Sequence, residues 1–293
     1  MDFFKIIDQL SEVDADVLGR FDSRRAVFNS LGSAAKRSAL AATPLFLGAL
    51  FQKAYAGTTA TPVEVLQYAL ALELFEQDFY KKVQNSTQYA GATPADKAAI
   101  DQIKKHEDAH VALLQGAIKS TGGTPVMGVT FKSAVFAGLT TFKTGAAVTS
   151  QLGIAQLLED TGVRAYKGRA VELIGTDLLT VALQIHSVEG RHAAKIRTMR
   201  GQRAWVNPDD DLATHPVYTS GVTPGSNPAQ FGLVVPPYMA ASPVESNTIQ
   251  SGVPITTGLG APYSDAAAAA SFDEFLQVAE VLDNSRAGSL IGA

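Results

Sequence analysis

The sequence predicts an all-α protein whose centre is a four-helix bundle with one long crossover connection. Four segments carry apolar residues at spacings of three and four, which is typical of amphipathic helices. The connections between these segments are short, long and short, so the helices pair as two hairpins joined by a crossover. The beginning and the end of the chain differ in character from this central part.

The first two predicted helices share one start signal. Thr61 and Thr93 are candidate N-cap residues, and each precedes a proline, which is favoured at the first helical position. Gly122 and Gly123 end the second helix. The predicted helices cover residues 62–86 and 94–120.

The second pair of predicted helices covers residues 146–174 and 177–200. Some 25 residues containing glycine, threonine and proline (121–145) precede it. This segment is long enough to cross the bundle. Residues 60–200 are therefore predicted to form the bundle domain.

Residues 1–56 are predicted to be a leader. Two basic pairs (24–25 and 36–37), an apolar run (39–51) and an A-x-A sequence (54–56) follow in the order of a secretory signal. The arginine pair resembles a twin-arginine export signal. The apolar run is shorter than the roughly 20 residues of a transmembrane helix. We therefore expect an exported protein of the periplasm or cell envelope with no transmembrane helix in the mature chain. The alternative is a retained N-terminal arm that packs on the body.

Residues 201–263 are predicted to be an irregular tail. Nine of the thirteen prolines lie at or after Pro208, amid glycine, serine and threonine, which disfavours helices and central strands. The apolar sequence "FGLVVPPYM" indicates that the tail lies over the bundle, because it would be poorly placed in water. A short last helix is predicted, with Ser264 or Asp265 as its cap, through "AAAAASFDEFLQVAEVL".

The composition excludes several classes of protein. The chain has 293 residues, of which 46% are hydrophobic and 18% charged, with a net charge of −4. These values are ordinary for a soluble globular protein, and no basic stripe indicates a nucleic-acid partner. Because the chain has no cysteine, disulfides, thiolate metal sites and cysteine nucleophiles are excluded.

The sequence "HEDAH" (residues 106–110) has two interpretations. In a zinc protease, His106 and His110 would bind the metal and Glu107 would act as the base. In a di-metal carboxylate site, Glu107 and His110 would form one Glu-x-x-His ligand pair. Both patterns place their ligands on one face of a helix, so the rest of the chain must decide.

A second Glu-x-x-His motif lies in the fourth predicted helix, at Glu189 and His192. The first and third helices supply Glu73 and Glu159, each seven residues before a tyrosine. The chain therefore contains a two-helix unit repeated once. This symmetry suits a two-metal site with one terminal carboxylate and one histidine per metal and two shared carboxylates. The zinc-protease interpretation leaves these four residues unexplained and lacks a marked third ligand.

The combined set resembles the ligand set of the ferritin-like superfamily: Glu73, Glu107, His110, Glu159, Glu189 and His192. The sequences "LALELFEQDFY", "HEDAHVALL" and "EGRHAAKIR" resemble in particular the ferritin-like domain proteins of bacterial envelopes and their plant desiccation-related relatives. The resemblance covers about residues 60–200. It implies that Glu73 and His110 hold one metal, that Glu159 and His192 hold the other, and that Glu107 and Glu189 bridge them.

One further carboxylate competes for a place in this set. Glu76 lies one turn after Glu73 and could replace it as a ligand. Its counterpart in the third helix is Gly162, so the symmetry favours Glu73.

Four other residues lie near the motifs without being predicted ligands. Tyr80 and Tyr166 are expected to be core tyrosines beside the site, and no catalytic residue is predicted beyond the metal ligands. His106 and His186 are expected to lie behind the ligands or on the surface.

Carboxylate-rich sites with one imidazole per metal suit iron or manganese. We therefore expect two iron or manganese ions and redox chemistry with oxygen or peroxide, either ferroxidase-like or catalase-like. The alternative is a structural or assembly-forming envelope protein in which the bundle is a scaffold and metal is stabilising or absent. The expected partners are further copies of the chain or an envelope assembly.

Overall fold

The computed structural model describes residues 60–219, 233, 235–236, 241–250, 253–258 and 264–292. The predicted leader lies outside the described residues, as does part of the predicted tail. Within the described part of the chain, no helix is both long and apolar enough to cross a membrane.

Helices dominate the described residues. In chain order they are α1 Pro62–Gln84, α2 Thr87–Ala90, α3 Pro94–Ser120, α4 Ser133–Ala137, α5 Gln151–Ala170, α6 Leu178–Met199, α7 Ile255–Gly258, α8 Asp265–Ala269 and α9 Val278–Val281. Short 3-10 helices lie at Ala147–Thr149, Val171–Leu173 and Ala287–Ser289. The strands are β1 Thr130–Phe131, β2 Ile249–Gln250, β3 Val253–Pro254 and β4 Ile291–Gly292.

The bundle consists of α1, α3, α5 and α6. Helix α1 packs along α3, and α5 packs along α6, while further contacts join α1 to α5 and α3 to α6. The predicted four-helix bundle with one crossover is therefore confirmed. The predicted caps are also present, since the side chains of Thr61 and Thr93 accept hydrogen bonds from the backbone N–H groups of Glu64 and Asp96.

Helix α5 is the most enclosed helix of the bundle. Nearly all its residues are buried, including polar ones such as Gln156 and Asp160. The helix is shorter than the predicted 146–174, because the side chain of Ser150 caps it by accepting the Gly153 N–H at 3.0 Å. A helix enclosed on all sides needs a covering layer beyond the other three helices.

The described part of the tail supplies that layer. The buried guanidinium of Arg164 on α5 pairs with Glu245 at 2.7 Å and also donates to four tail carbonyls, those of Val217, Pro243, Glu274 and Phe275. Arg197 on α6 pairs with Asp160 at 2.6 Å and with Asp210 of the tail. The described tail thus lies over the bundle, as the sequence indicates.

The crossover and the chain's last described residues form a small sheet. Strand β1 pairs antiparallel with β4, with Phe131 opposite Ile291. Phe131 also stacks on Phe75 of α1, with ring centroids 5.4 Å apart. The sequence does not predict these strands, because two-residue strands carry no alternating pattern.

The prediction of one continuous last helix is wrong. Ser264 does cap α8, but an extended segment separates α8 from α9. The carbonyls of Glu274 and Phe275 accept hydrogen bonds from Arg164, and the N–H of Leu276 donates to the Arg164 carbonyl at 3.1 Å. These backbone groups serve a tertiary contact, so they cannot also close helical turns.

Candidate metal centre

The four bundle helices direct carboxylates and imidazoles toward one place in the interior. The spacing of three residues in each Glu-x-x-His motif puts both side chains on the same helical face. Every residue of the set predicted from the sequence is buried: Glu73, Glu107, Glu159 and Glu189 at 0% exposure, His192 at 3% and His110 at 8%.

These six residues form two overlapping clusters. In each cluster the ligand atoms lie within 4.8 Å of one another, and the members are Glu73, Glu107, His110 and Glu189 in one and Glu107, Glu159, Glu189 and His192 in the other. Glu107 and Glu189 belong to both. The structure thus brings together all six residues, in the grouping that the resemblance implies.

The imidazole of His110 stands among three carboxylates. Its Nδ1 lies 3.0 Å from Oε2 of Glu73, 3.3 Å from Oε2 of Glu107 and 3.3 Å from Oε1 of Glu189. One nitrogen therefore faces a terminal carboxylate and both shared ones.

His192 has the equivalent position in the other cluster. Its Nδ1 lies 2.9 Å from Oε1 of Glu107, 3.3 Å from Oε2 of Glu159 and 3.9 Å from Oε2 of Glu189. The two half-sites are thus related by the repeat that the sequence contains.

Several atoms at the meeting point of these side chains make no hydrogen bond, although they lie within ion-pair distance of a neighbour. They are Oε1 of Glu107, Oε2 of Glu159, both carboxylate oxygens of Glu189 and Nδ1 of His192. Burial of such atoms without partners is costly. A bound cation would be a partner for these oxygens and nitrogens. The set of carboxylate and imidazole ligands suits a transition-metal ion. The residues therefore fit a metal site.

The electrostatics of the cluster lead to the same inference. Burial raises the pKa of Glu107 and of Glu189 well above the ordinary value, and neighbouring carboxylates raise both further. Burial lowers the pKa of His110, but hydrogen bonds with Glu107 and Glu73 outweigh it and raise the pKa to about 9. For Glu73, burial raises the pKa, but the hydrogen bond and charge of His110 and the hydrogen bonds with Glu107 and Tyr166 together outweigh it, so the pKa is lowered. Without a cation, the cluster must retain protons to limit the repulsion.

Two buried tyrosines hold the terminal carboxylates. Tyr166 on α5 donates to Oε1 of Glu73 on α1 at 2.5 Å, and Tyr80 on α1 donates to Oε1 of Glu159 on α5. Burial, followed by the charge of the bonded carboxylate, raises both tyrosine pKa values well above 10. The sequence places these tyrosines near the site, but their crossed pairing emerges only from the packing of α1 on α5.

Glu76 is buried beside the clusters but belongs to neither. Burial, and then the charges of neighbouring carboxylates, raise its pKa well above the ordinary value. A Cβ atom at Gly162 would lie 3.2 Å from Oε2 of Glu189 and 3.5 Å from Oε1 of Glu76. The glycine therefore leaves room for both carboxyl groups, and Glu73 is the α1 carboxylate that faces His110.

His106 and His186 lie outside both clusters and are half-buried. Nδ1 of His106 lies 2.8 Å from Nε2 of His192, so His106 contacts the back of a cluster histidine. The zinc-protease interpretation requires His106 and His110 to face one ion. Among the described residues, no group of candidate ligands contains His106.

The structure has the fold of the di-metal carboxylate proteins. It is a four-helix bundle with one long crossover, and its interior holds a cluster of four glutamates and two histidines. Residues 61–202 match the family model of the ferritin-like domain. This part of the chain is a domain of the ferritin-like superfamily. A comparison with curated proteins finds no match. The tail beyond residue 202 lies outside the matched region.

Proposed function

We propose that this protein binds two ions of iron or manganese and uses them in redox chemistry with oxygen or peroxide. The observation that carries the proposal is the set of buried carboxylate and imidazole atoms that converge without hydrogen-bond partners. When bound, iron or manganese supplies redox chemistry that these side chains lack, because both metals change readily between the +2 and +3 states.

The clusters support one assignment of ligands. Glu73 and His110 would hold one ion, and Glu159 and His192 the other. Glu107 and Glu189, which belong to both clusters, would be shared.

The chain's own residues orient the ligands and manage protons. Tyr80 and Tyr166 stay protonated at neutral pH and hold the two terminal carboxylates by hydrogen bonds. The protons that His110 and the shared carboxylates retain in the metal-free protein must leave when cations bind, so metal binding releases protons. The burial of all six predicted ligands would keep bulk water away from bound ions.

A purely structural role would be served as well by apolar side chains. Burial of several like charges costs stability unless cations compensate them, so a scaffold gains nothing from this cluster. From the leader we also propose that the protein is exported to the periplasm or envelope, where it forms a homo-oligomer or joins an assembly.

Elemental analysis of the full-length protein, purified from its native host, tests metal binding. We expect about two ions of iron or manganese per chain. His110→Ala should lose one ion, His192→Ala should lose the other, and Glu107→Ala should weaken both. His186→Ala is the matched control and should retain both ions, because His186 lies in neither cluster.

The outcomes separate the three interpretations. One zinc ion per chain, lost equally in His106→Ala and His110→Ala and retained in His192→Ala, would establish the zinc-protease interpretation instead. A protein that binds two ions but consumes neither oxygen nor peroxide would support the structural alternative. Consumption of either oxidant by the loaded protein, absent in Glu107→Ala, supports the redox function.

A further inference from the structure

We propose that His106 is a positioning residue for His192, and that it makes the two metal half-sites unequal. This inference rests on the proposed di-metal function. It concerns a histidine that the ligand set does not use.

The geometry of the two rings is that of a hydrogen bond in the ring plane. Nδ1 of His106 and Nε2 of His192 are 2.8 Å apart. The ring planes differ by only 8°, with centroids 5.1 Å apart, so the imidazoles lie edge to edge. The opposite nitrogen of His192, Nδ1, lies 2.9 Å from Oε1 of Glu107, within ion-pair distance but without the alignment of a hydrogen bond. His106 therefore holds one nitrogen of His192 while the other faces the carboxylates.

Because a neutral imidazole carries only one ring proton, it can be decided which of the two rings donates this hydrogen bond. A neutral ring has one N–H donor and one nitrogen acceptor. A metal at Nδ1 of His192 needs the lone pair there, so the ring proton must be on Nε2. Nδ1 of His106 is in place to accept that proton in a hydrogen bond. This bond selects the tautomer of His192 that binds metal.

The assignment of ring protons can be extended from His106 to the protein surface. With Nδ1 as acceptor, His106 carries its own proton on Nε2, which lies 2.7 Å from the side-chain nitrogen Nε2 of Gln102. The amide of Gln102 can present its oxygen to this proton, because its two ends exchange by a half-turn. Gln102 is exposed, so the hydrogen-bonded series runs from solvent to His192.

Among the residues that the structure describes, the other half-site has no equivalent of His106. His106 precedes the motif histidine His110 by four residues, and the corresponding residue before His192 is Val188. A valine side chain can neither donate nor accept a hydrogen bond. The repeat is thus broken at this position, and we expect the half-site of His192 to be the better oriented one.

Titration of the full-length protein with Mn²⁺ against a competing chelator tests the proposal. In His106→Ala the affinity for one ion should fall about 10- to 100-fold, the usual effect of losing such a partner, while the other affinity stays unchanged. In His106→Asn part of this affinity should return, because the side-chain oxygen of asparagine can accept a hydrogen bond from the Nε2–H of His192. His186→Ala, the other half-buried histidine near a motif, should match the wild type.

Nuclear magnetic resonance of ¹⁵N-histidine in the Zn²⁺-loaded protein gives a readout that general damage to the fold would not produce. In the wild type the Nε2–H of His192 should exchange slowly with water, and in His106→Ala it should exchange rapidly. Unchanged exchange, unchanged affinities, or equal weakening of both ions would overturn the proposal. Failure of the proposed function is distinguishable, because the wild type would then bind neither ion, while the bond between the two rings would still be seen in the metal-free spectrum.

Discussion

The hydroxyl of Tyr166 donates a hydrogen bond to Oε1 of Glu73, which lies 93 residues earlier in the chain. Tyr80 makes the corresponding bond to Glu159. Each tyrosine lies on the helix that carries the other tyrosine's carboxylate partner. Helices α1 and α5 therefore exchange hydrogen bonds across the centre, and each terminal carboxylate is oriented by the opposite repeat.

This exchange predicts separable effects of two substitutions. Tyr166→Phe removes the bond to Glu73 and should weaken the ion of the His110 half-site, whereas Tyr80→Phe should weaken the ion of the His192 half-site. A hydrogen bond to a charged group contributes about 1.5–3 kcal/mol, so we expect a loss of roughly tenfold or more for one ion. Chelator competition measures both affinities. Equal weakening of both ions in either variant would contradict the crossed arrangement.

The metal-free protein is expected to lose stability as the pH rises from neutral to 9. Although burial lowers it, hydrogen bonds with Glu107 and Glu73 raise the pKa of His110 from 6.5 to about 9. A group whose pKa is higher in the folded state stabilises the fold fully below its unfolded pKa, and this contribution is lost as the pH rises through the folded value. For His110 it is on the order of 3 kcal/mol. Thermal unfolding with chelator at pH 6, 7.5 and 9 should show falling midpoints, with a smaller fall in His110→Asn.

Saturating Mn²⁺ should stabilise the protein more strongly as the pH rises. Cations and protons compete for the same carboxylate and imidazole atoms, so metal affinity rises with pH. The difference in melting temperature between the loaded and the metal-free protein should therefore increase from pH 6 to pH 9. A difference independent of pH would mean that the ions bind elsewhere than at the protonated cluster.

Glu76→Gln should stabilise the metal-free protein. Burial, and then repulsion by Glu159, Glu107 and Glu73, raise the pKa of Glu76 well above the ordinary value, so a neutral side chain of similar shape removes a cost. The control is Asp96→Asn: burial raises the pKa of Asp96, but the bonds with Lys143 at 2.9 Å and with Thr93 outweigh it and lower the pKa, so loss of this charge should destabilise the fold. Thermal unfolding at pH 8 should show opposite shifts. A lower melting temperature for Glu76→Gln would show that its charge is compensated.

The bundle and the six cluster residues are predictable from the sequence because both depend on regular spacing. Helical periodicity reveals the four helices, and the repeated Glu-x-x-His motif reveals the paired ligands. The bond from His106 to His192 joins two helices and follows no periodic pattern, so it appears only in the structure. The broken last helix is missed for a similar reason, since Arg164 on α5 takes the carbonyls that would continue it.

The last prediction concerns the tail, which the ferritin-like match does not include. A chain ending at residue 202 should fail to fold, because the residues after 202 supply part of the main hydrophobic core, including Leu212, Val217 and Leu276. Full burial of one apolar side chain contributes about 1.5–3 kcal/mol, so the loss of several approaches the total stability of about 5–15 kcal/mol of a typical domain. Circular dichroism and thermal unfolding of the truncated chain should show reduced helix content and no cooperative transition. The single variant Asp210→Asn, which keeps the tail but weakens the buried ion pair with Arg197, should fold with a lowered melting temperature. Cooperative unfolding of the truncated chain near the full-length melting temperature would show that the bundle is stable without its tail.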